Sequence, residues 1–99
     1  MAAKRRKETF SRWDAADYLK SEADMVAYIE ACLEENDPAL LAAALGDTAR
    51  AHGMVQLAKN TGLTREGLYK ALSKDGNPSL GTVLKVMHAL GLKLTAKAA

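Results

Sequence analysis

The chain has 99 residues, 48% of them hydrophobic and mostly Ala and Leu, with only five aromatics and a net charge of +2. That length supports one domain with a modest core, and the composition is too apolar for a disordered chain. With no apolar run near 18 residues and no basic-then-apolar leader, neither a membrane span nor a secretory signal is expected; one cysteine leaves no internal disulfide and suits a reducing cytoplasm.

The net charge hides a split. Residues 1–13 carry net +4, residues 14–50 net −7 and residues 51–99 net +5. The acidic middle is either a solvated surface or the face that meets a basic protein. Residues 1–9, with Lys4, Arg5, Arg6 and Lys7, lack apolar periodicity and are expected to be a disordered basic arm.

Residues 10–20 gather Phe10, Trp13 and Tyr18 around a short helix that Asp14 caps or begins. Aromatics of this kind either cap the core or anchor a partner. Ser21 with Asp24 forms a capping-box pattern at the next helix. Met25, Val26, Ile29, Cys32 and Leu33 make its apolar stripe, and Glu30, Glu34 and Glu35 its wet side. Glu34 and Glu35 lie in the last turn, where negative charge opposes the helix dipole, so a functional acidic face is favoured.

Asn36-Asp37-Pro38 ends that helix and starts another, with Asp37 as N-cap. Leu40, Leu41, Ala44, Leu45, Thr48 and Ala49 form its buried face; Gly46 either permits a close helix contact or marks a break, and Gly53 ends it. From Met54 to Lys74 the chain predicts two short helices about a Gly62 turn. Val55, Leu57 and Ala58 face inward in the first; Thr64 caps the second, and Leu68, Ala71 and Leu72 form its stripe. This is the pattern of a helix-turn-helix, whose second helix enters the DNA major groove; a purely structural helical hairpin is the alternative.

On that reading Thr64, Arg65, Glu66, Tyr69 and Lys70 reach bases, and Gln56, Ser73, Lys74 and Asn77 reach phosphates. Gly67 either lets the helix approach phosphates or packs tightly on its neighbour.

Asp75-Gly76-Asn77-Pro78 is a turn, Ser79 caps the last helix, and Leu80, Val83, Leu84, Met87 and Leu90 form its stripe up to Gly91. The tail alternates, with Leu92, Leu94 and Ala96 on one side, as a strand does. A lone strand must pair with a two-fold mate or a partner's sheet edge. The last helix and the tail, through Leu92 and Leu94, are the candidate homodimer surfaces.

These residues carry a family resemblance: Trp13-Asp14, Tyr18-Leu19, Asn36-Asp37-Pro38 and Ala44-Leu45-Gly46-Asp47, then Gly53-Met54, Leu57-Ala58 and Thr61-Gly62-Leu63. Arg65-Glu66, Leu68-Tyr69-Lys70-Ala71-Leu72, Gly76-Asn77-Pro78 and Ala89-Leu90-Gly91-Leu92 complete it. The chain resembles the HigA-like antidote proteins of bacterial toxin–antitoxin addiction modules, in the Xre/Cro group of helix-turn-helix regulators. The basic arm at residues 4–7 departs from that pattern.

The resemblance implies an all-α, Xre/Cro-like (lambda-repressor-like) domain of about five or six helices, closed by the short C-terminal strand. It implies an antitoxin that binds a RelE/ParE-like toxin and, as a dimer, represses its own promoter; a free-standing Xre-family repressor is the alternative. The implied organisation is a basic arm (1–9), an N-terminal helical segment (10–35), a DNA-binding domain (36–91) and a tail (92–99). For the toxin contact the expected residues are Phe10, Trp13, Tyr18, Leu19, Glu30, Glu34 and Glu35. No Ser/His/Asp set, Cys/His pair, phosphate loop or metal-spaced acids stand in the chain, so no enzyme, cofactor, metal or small-molecule ligand is expected.

Overall fold

The computed structural model describes residues 14–99. Asp14 opens a single 3-10 turn over Ala15–Tyr18, its carboxylate accepting from the Ala16 N–H at 3.0 Å. Five α-helices follow: α1 (Glu22–Leu33), α2 (Pro38–His52), α3 (Met54–Thr61), α4 (Arg65–Ala71) and α5 (Leu80–Ala89).

The caps fall where short side chains meet free backbone N–H groups. Ser21 and Asp24 complete a reciprocal capping box. Asp37 accepts from Ala39 and Leu40, with Pro38 at the first helical position. Thr64 accepts from Gly67, and Ser79 from Thr82. Each such cap is worth about 1 kcal/mol.

Helix α2 is the spine: the 3-10 turn, α1, α3 and α4 all pack on it, and α5 packs on α3. Leu45, Leu57, Leu68 and Val86, one from each of α2 to α5, are fully buried at the centre. Burial of a side chain of that size stabilises by roughly 1.5–3 kcal/mol. The only buried polar side chain among the described residues is Thr48, whose hydroxyl donates to the Ala44 carbonyl at 2.7 Å. Gly46 does not break α2. It sits against the end of α4, where a methyl group would overlap the Leu72 carbonyl oxygen, so the close-contact reading of this glycine holds.

Several expectations are corrected. Leu40 does not join the buried face of α2; it is 37% exposed, in the first turn, where its N–H donates to the Asp37 cap. Val55 does not face inward; it is 60% exposed, and Met54 fills the buried position beside Leu57. Helix α5 is rotated from its expected stripe: Val83, Val86, Met87 and Leu90 are buried, while Leu80 and Leu84 are exposed. The C-terminal strand is absent among the described residues. Gly91 and Leu92 instead fold their N–H groups back onto the His88 and Met87 carbonyls, at 3.0 and 2.8 Å, and close α5. Leu92 then packs against the chain's own core, and among the described residues the remaining tail meets no strand edge with which to form a ladder.

Candidate nucleic-acid interface

The unit that presents cations is α3, its turn and α4. Gly62 adopts the left-handed conformation, φ 77°, that ends α3 with its N–H on the Ala58 carbonyl. The Thr61 hydroxyl braces the turn, donating to the Leu57 carbonyl at 2.8 Å and accepting from the Leu63 N–H at 3.2 Å. Leu63 packs inward on the core. The chain then re-enters a helix at Thr64, whose hydroxyl accepts from the Gly67 N–H at 2.9 Å. A side chain at Gly67 would crowd that hydroxyl, so this glycine serves the cap rather than the packing of α3 on α4.

Leu68 and Leu72 hold α4 from behind. Arg65, Glu66, Tyr69 and Lys70 are all exposed. At a helix's turn of about 100° per residue, these four occupy one arc of about 140°. Glu66 lies in the first turn, where the helix dipole favours a carboxylate. Arg65, Lys70 and Lys74 enter no ion pair among the described residues, so their charge is uncompensated and available. Gln56 is exposed on α3 and donates to Asn60 at 3.1 Å. Ser73 is half-buried and donates to the Lys70 carbonyl at 3.1 Å, while Lys74 and Asn77 are exposed beyond it. The nine residues expected at DNA therefore lie along α3, α4 and the loop after α4, and none is fully buried.

Beside α4 lies an open recess of about 340 Å³, walled by Asp47, Arg50, Tyr69, Ser73 and Lys74 among others. Its inner wall belongs to a polar cluster that sequence reasoning missed. Arg50 donates to Asp14 at 2.7 Å and to Asp47 at 2.6 Å. Tyr28 donates its hydroxyl to the other oxygen of Asp47 at 2.6 Å. The hydrogen bond from Arg50 holds the Asp14 carboxyl below its ordinary value. Burial, and then Asp47, push the Tyr28 phenol up, so it stays a neutral donor. The Asp47–Arg50 pair is visible as an i,i+3 spacing; Asp14, 36 residues away, carries no such signal.

The residues expected at a protein partner separate. Glu30 is exposed in the last turn of α1; Glu34 is the C-cap of the helix and Glu35 follows in the turn beyond it, both exposed, so neither stands within the last turn as expected. Tyr18 is 61% exposed. Leu19 is buried, which corrects its expected role: it anchors the segment instead of offering a side chain. Phe10, Trp13 and the basic arm lie outside the described residues. Of the two residues expected at a dimer contact, Leu92 is spent on the core and Leu94 lines a groove against α1. Cys32 is buried, and burial raises its thiol pKa. Among the described residues no group of three or more metal-ligating side chains gathers, and no helix is long and apolar enough to cross a membrane.

A family model described as probable addiction module antidote protein matches residues 9–98. An uncharacterised protein of Haemophilus influenzae is 48% identical over 86 residues, covering 87% of this chain and 89% of the relative. No solved structure matches at a significant level.

Proposed function

The chain belongs to the family of probable addiction module antidote proteins, and on that premise we propose that it is the antitoxin of a type II toxin–antitoxin module. It captures a RelE/ParE-like toxin by direct binding and represses its own operon by sequence-specific DNA binding. The observation that carries the DNA half is the exposed arc of Arg65, Glu66, Tyr69 and Lys70 on a helix fastened from behind by Leu68 and Leu72.

Helices α3 and α4 act as an Xre/Cro-type helix-turn-helix, with α4 in the major groove. Arg65 forks onto a guanine edge, and Glu66 accepts from cytosine N4. Tyr69 and Lys70, one turn on, meet a thymine methyl or a phosphate. Thr64 accepts the Gly67 N–H, so its hydroxyl proton is what it offers a base. Gln56, Ser73, Lys74 and Asn77 fix the register on phosphates. One motif covers a half-site, and a homodimer places two of them roughly 34 Å apart. The exposed Leu80 and Leu84, one turn apart on α5, replace the tail as the dimer surface.

The acidic α1 face with Glu30, Glu34 and Glu35, together with Phe10, Trp13 and Tyr18, takes the toxin. DNA as a target places the protein in the cytoplasm. The same α4 face serves a free-standing Xre-family repressor equally well, and the product of the neighbouring reading frame separates the two readings. Co-expression with that frame, followed by sizing and a gel shift on the upstream promoter, is the test. A stable complex and a salt-sensitive shift are expected; the absence of any shift at low salt removes the repressor function.

A further inference from the structure

We propose that the groove between α1 and the C-terminal tail docks a cationic, amphipathic segment of a basic protein partner, and that it does so while α4 stays free for DNA. The inference rests on the antidote reading for the existence of that partner. The groove encloses about 800 Å³. Its apolar lining comes from Val26, Ile29 and Leu33 of α1, Met87 of α5, and Leu92 and Leu94 of the tail. Val26 and Leu94 are 39% and 38% exposed, so part of this surface is not spent on the chain's own core.

One wall is acidic. Glu22, Glu30 and Glu34 line it, and α1 holds no basic residue along its length. Glu30 and Glu34 stand at the end of α1, where the helix dipole disfavours negative charge. None of these carboxylates enters an ion pair among the described residues. Glu30 and Glu34 therefore gain nothing from the fold, and a cation brought from outside relieves them, whereas Glu22, in the first turn of α1, is favoured by the dipole and only adds charge to the wall. Lys93 and Lys97 stand on the tail side. An occupant is expected to turn its cations toward α1 and its apolar stripe into the floor.

No residue of α3 or α4 lines the groove. Partner and operator therefore bind different surfaces, and a ternary complex is allowed.

The test uses the full chain, the purified product of the adjacent reading frame and promoter DNA. Two variants are compared with wild type: the double charge reversal Glu30→Lys with Glu34→Lys, and Val26→Asp. All three positions are exposed, so circular dichroism should report an unchanged fold. Each variant should weaken partner capture about tenfold or more, which is 1.4 kcal/mol, while the operator shift stays within about twofold of wild type, under 0.5 kcal/mol. A photo-crosslinker at Leu94 should label the partner. Undiminished capture by both variants overturns the groove. So does a parallel loss of operator binding, or a change in the free chain's sedimentation, which assigns the groove to a second copy. If wild type itself fails to bind the adjacent product, the antidote reading falls together with the groove; the other outcomes leave that reading standing.

Discussion

The guanidinium of Arg50 donates to the carboxylate of Asp14 at 2.7 Å and so ties residues 36 apart in sequence. That bond joins the 3-10 turn to α2, the helix on which most of the domain packs. Both side chains are more than a third exposed, so the pair is worth about 0.2–1 kcal/mol in global stability. Its effect is local. Arg50→Ala should lower the melting temperature by no more than a few degrees and speed hydrogen exchange at Ala16 and Leu19, whose amides close the turn. Exchange at wild-type rates would show that Leu19 burial alone holds the segment.

The same contact has a pH window. Asp14 is held below its ordinary 3.8, first by the hydrogen bond from Arg50 and then by the Ala16 N–H. A carboxyl depressed on folding stabilises above its unfolded value, and that contribution fades as pH falls through the folded value. The turn should therefore be docked from neutrality down to about pH 4 and loosen below it. Amide chemical shifts of residues 15–19 followed through an acid titration test this. Asp14→Asn should abolish the acid undocking of the turn, read at the Ala16 and Leu19 amides, because the carboxylate that accepts from Arg50 is gone.

Gly46 sets how closely α4 approaches α2. A methyl group there overlaps the Leu72 carbonyl oxygen, and backbone cannot move aside as a flexible side chain does. Gly46→Ala gains about 1 kcal/mol in helix propensity. It loses about 1–3 kcal/mol or more to overpacking, and the rigid neighbour lets the loss win. The melting temperature should fall by several degrees, at roughly 4–8 °C per kcal/mol for a domain of this size. An unchanged or raised value would mean that α4 swings away freely.

What the sequence made legible was local. Ser21, Asp37, Thr64 and Ser79 are caps that need only residues two or three positions away, and all four close the expected N–H groups. The phase of an apolar stripe is a tertiary matter. Leu80 and Leu84 fit a helical stripe as well as Val86 does, and packing against α3 decided in favour of Val86. Alternation in the tail is compatible with strand and with extended coil alike; only a pairing edge separates them. For the candidate DNA face, exposure of Arg65, Tyr69 and Lys70 followed from Leu68 and Leu72. The Asp14–Arg50–Asp47–Tyr28 cluster did not, since its members come from three elements far apart in sequence.

Arg65 and Lys74 should behave differently at DNA although both are exposed cations without an ion pair among the described residues. Arg65 opens α4, where side chains of a groove-bound helix reach base edges. Arg65→Ala should cost about 1–3 kcal/mol and relax preference at one base pair. Lys74 lies past the end of α4, beside the recess walled by Tyr69 and Ser73, and has only phosphate within its reach on this reading. Lys74→Ala should weaken binding evenly across operator variants and lower the salt slope by about one. Fluorescence anisotropy on an operator and its single-base variants, repeated at several salt concentrations, separates the two behaviours. Equal sequence preference after Arg65→Ala would remove α4 from the major groove.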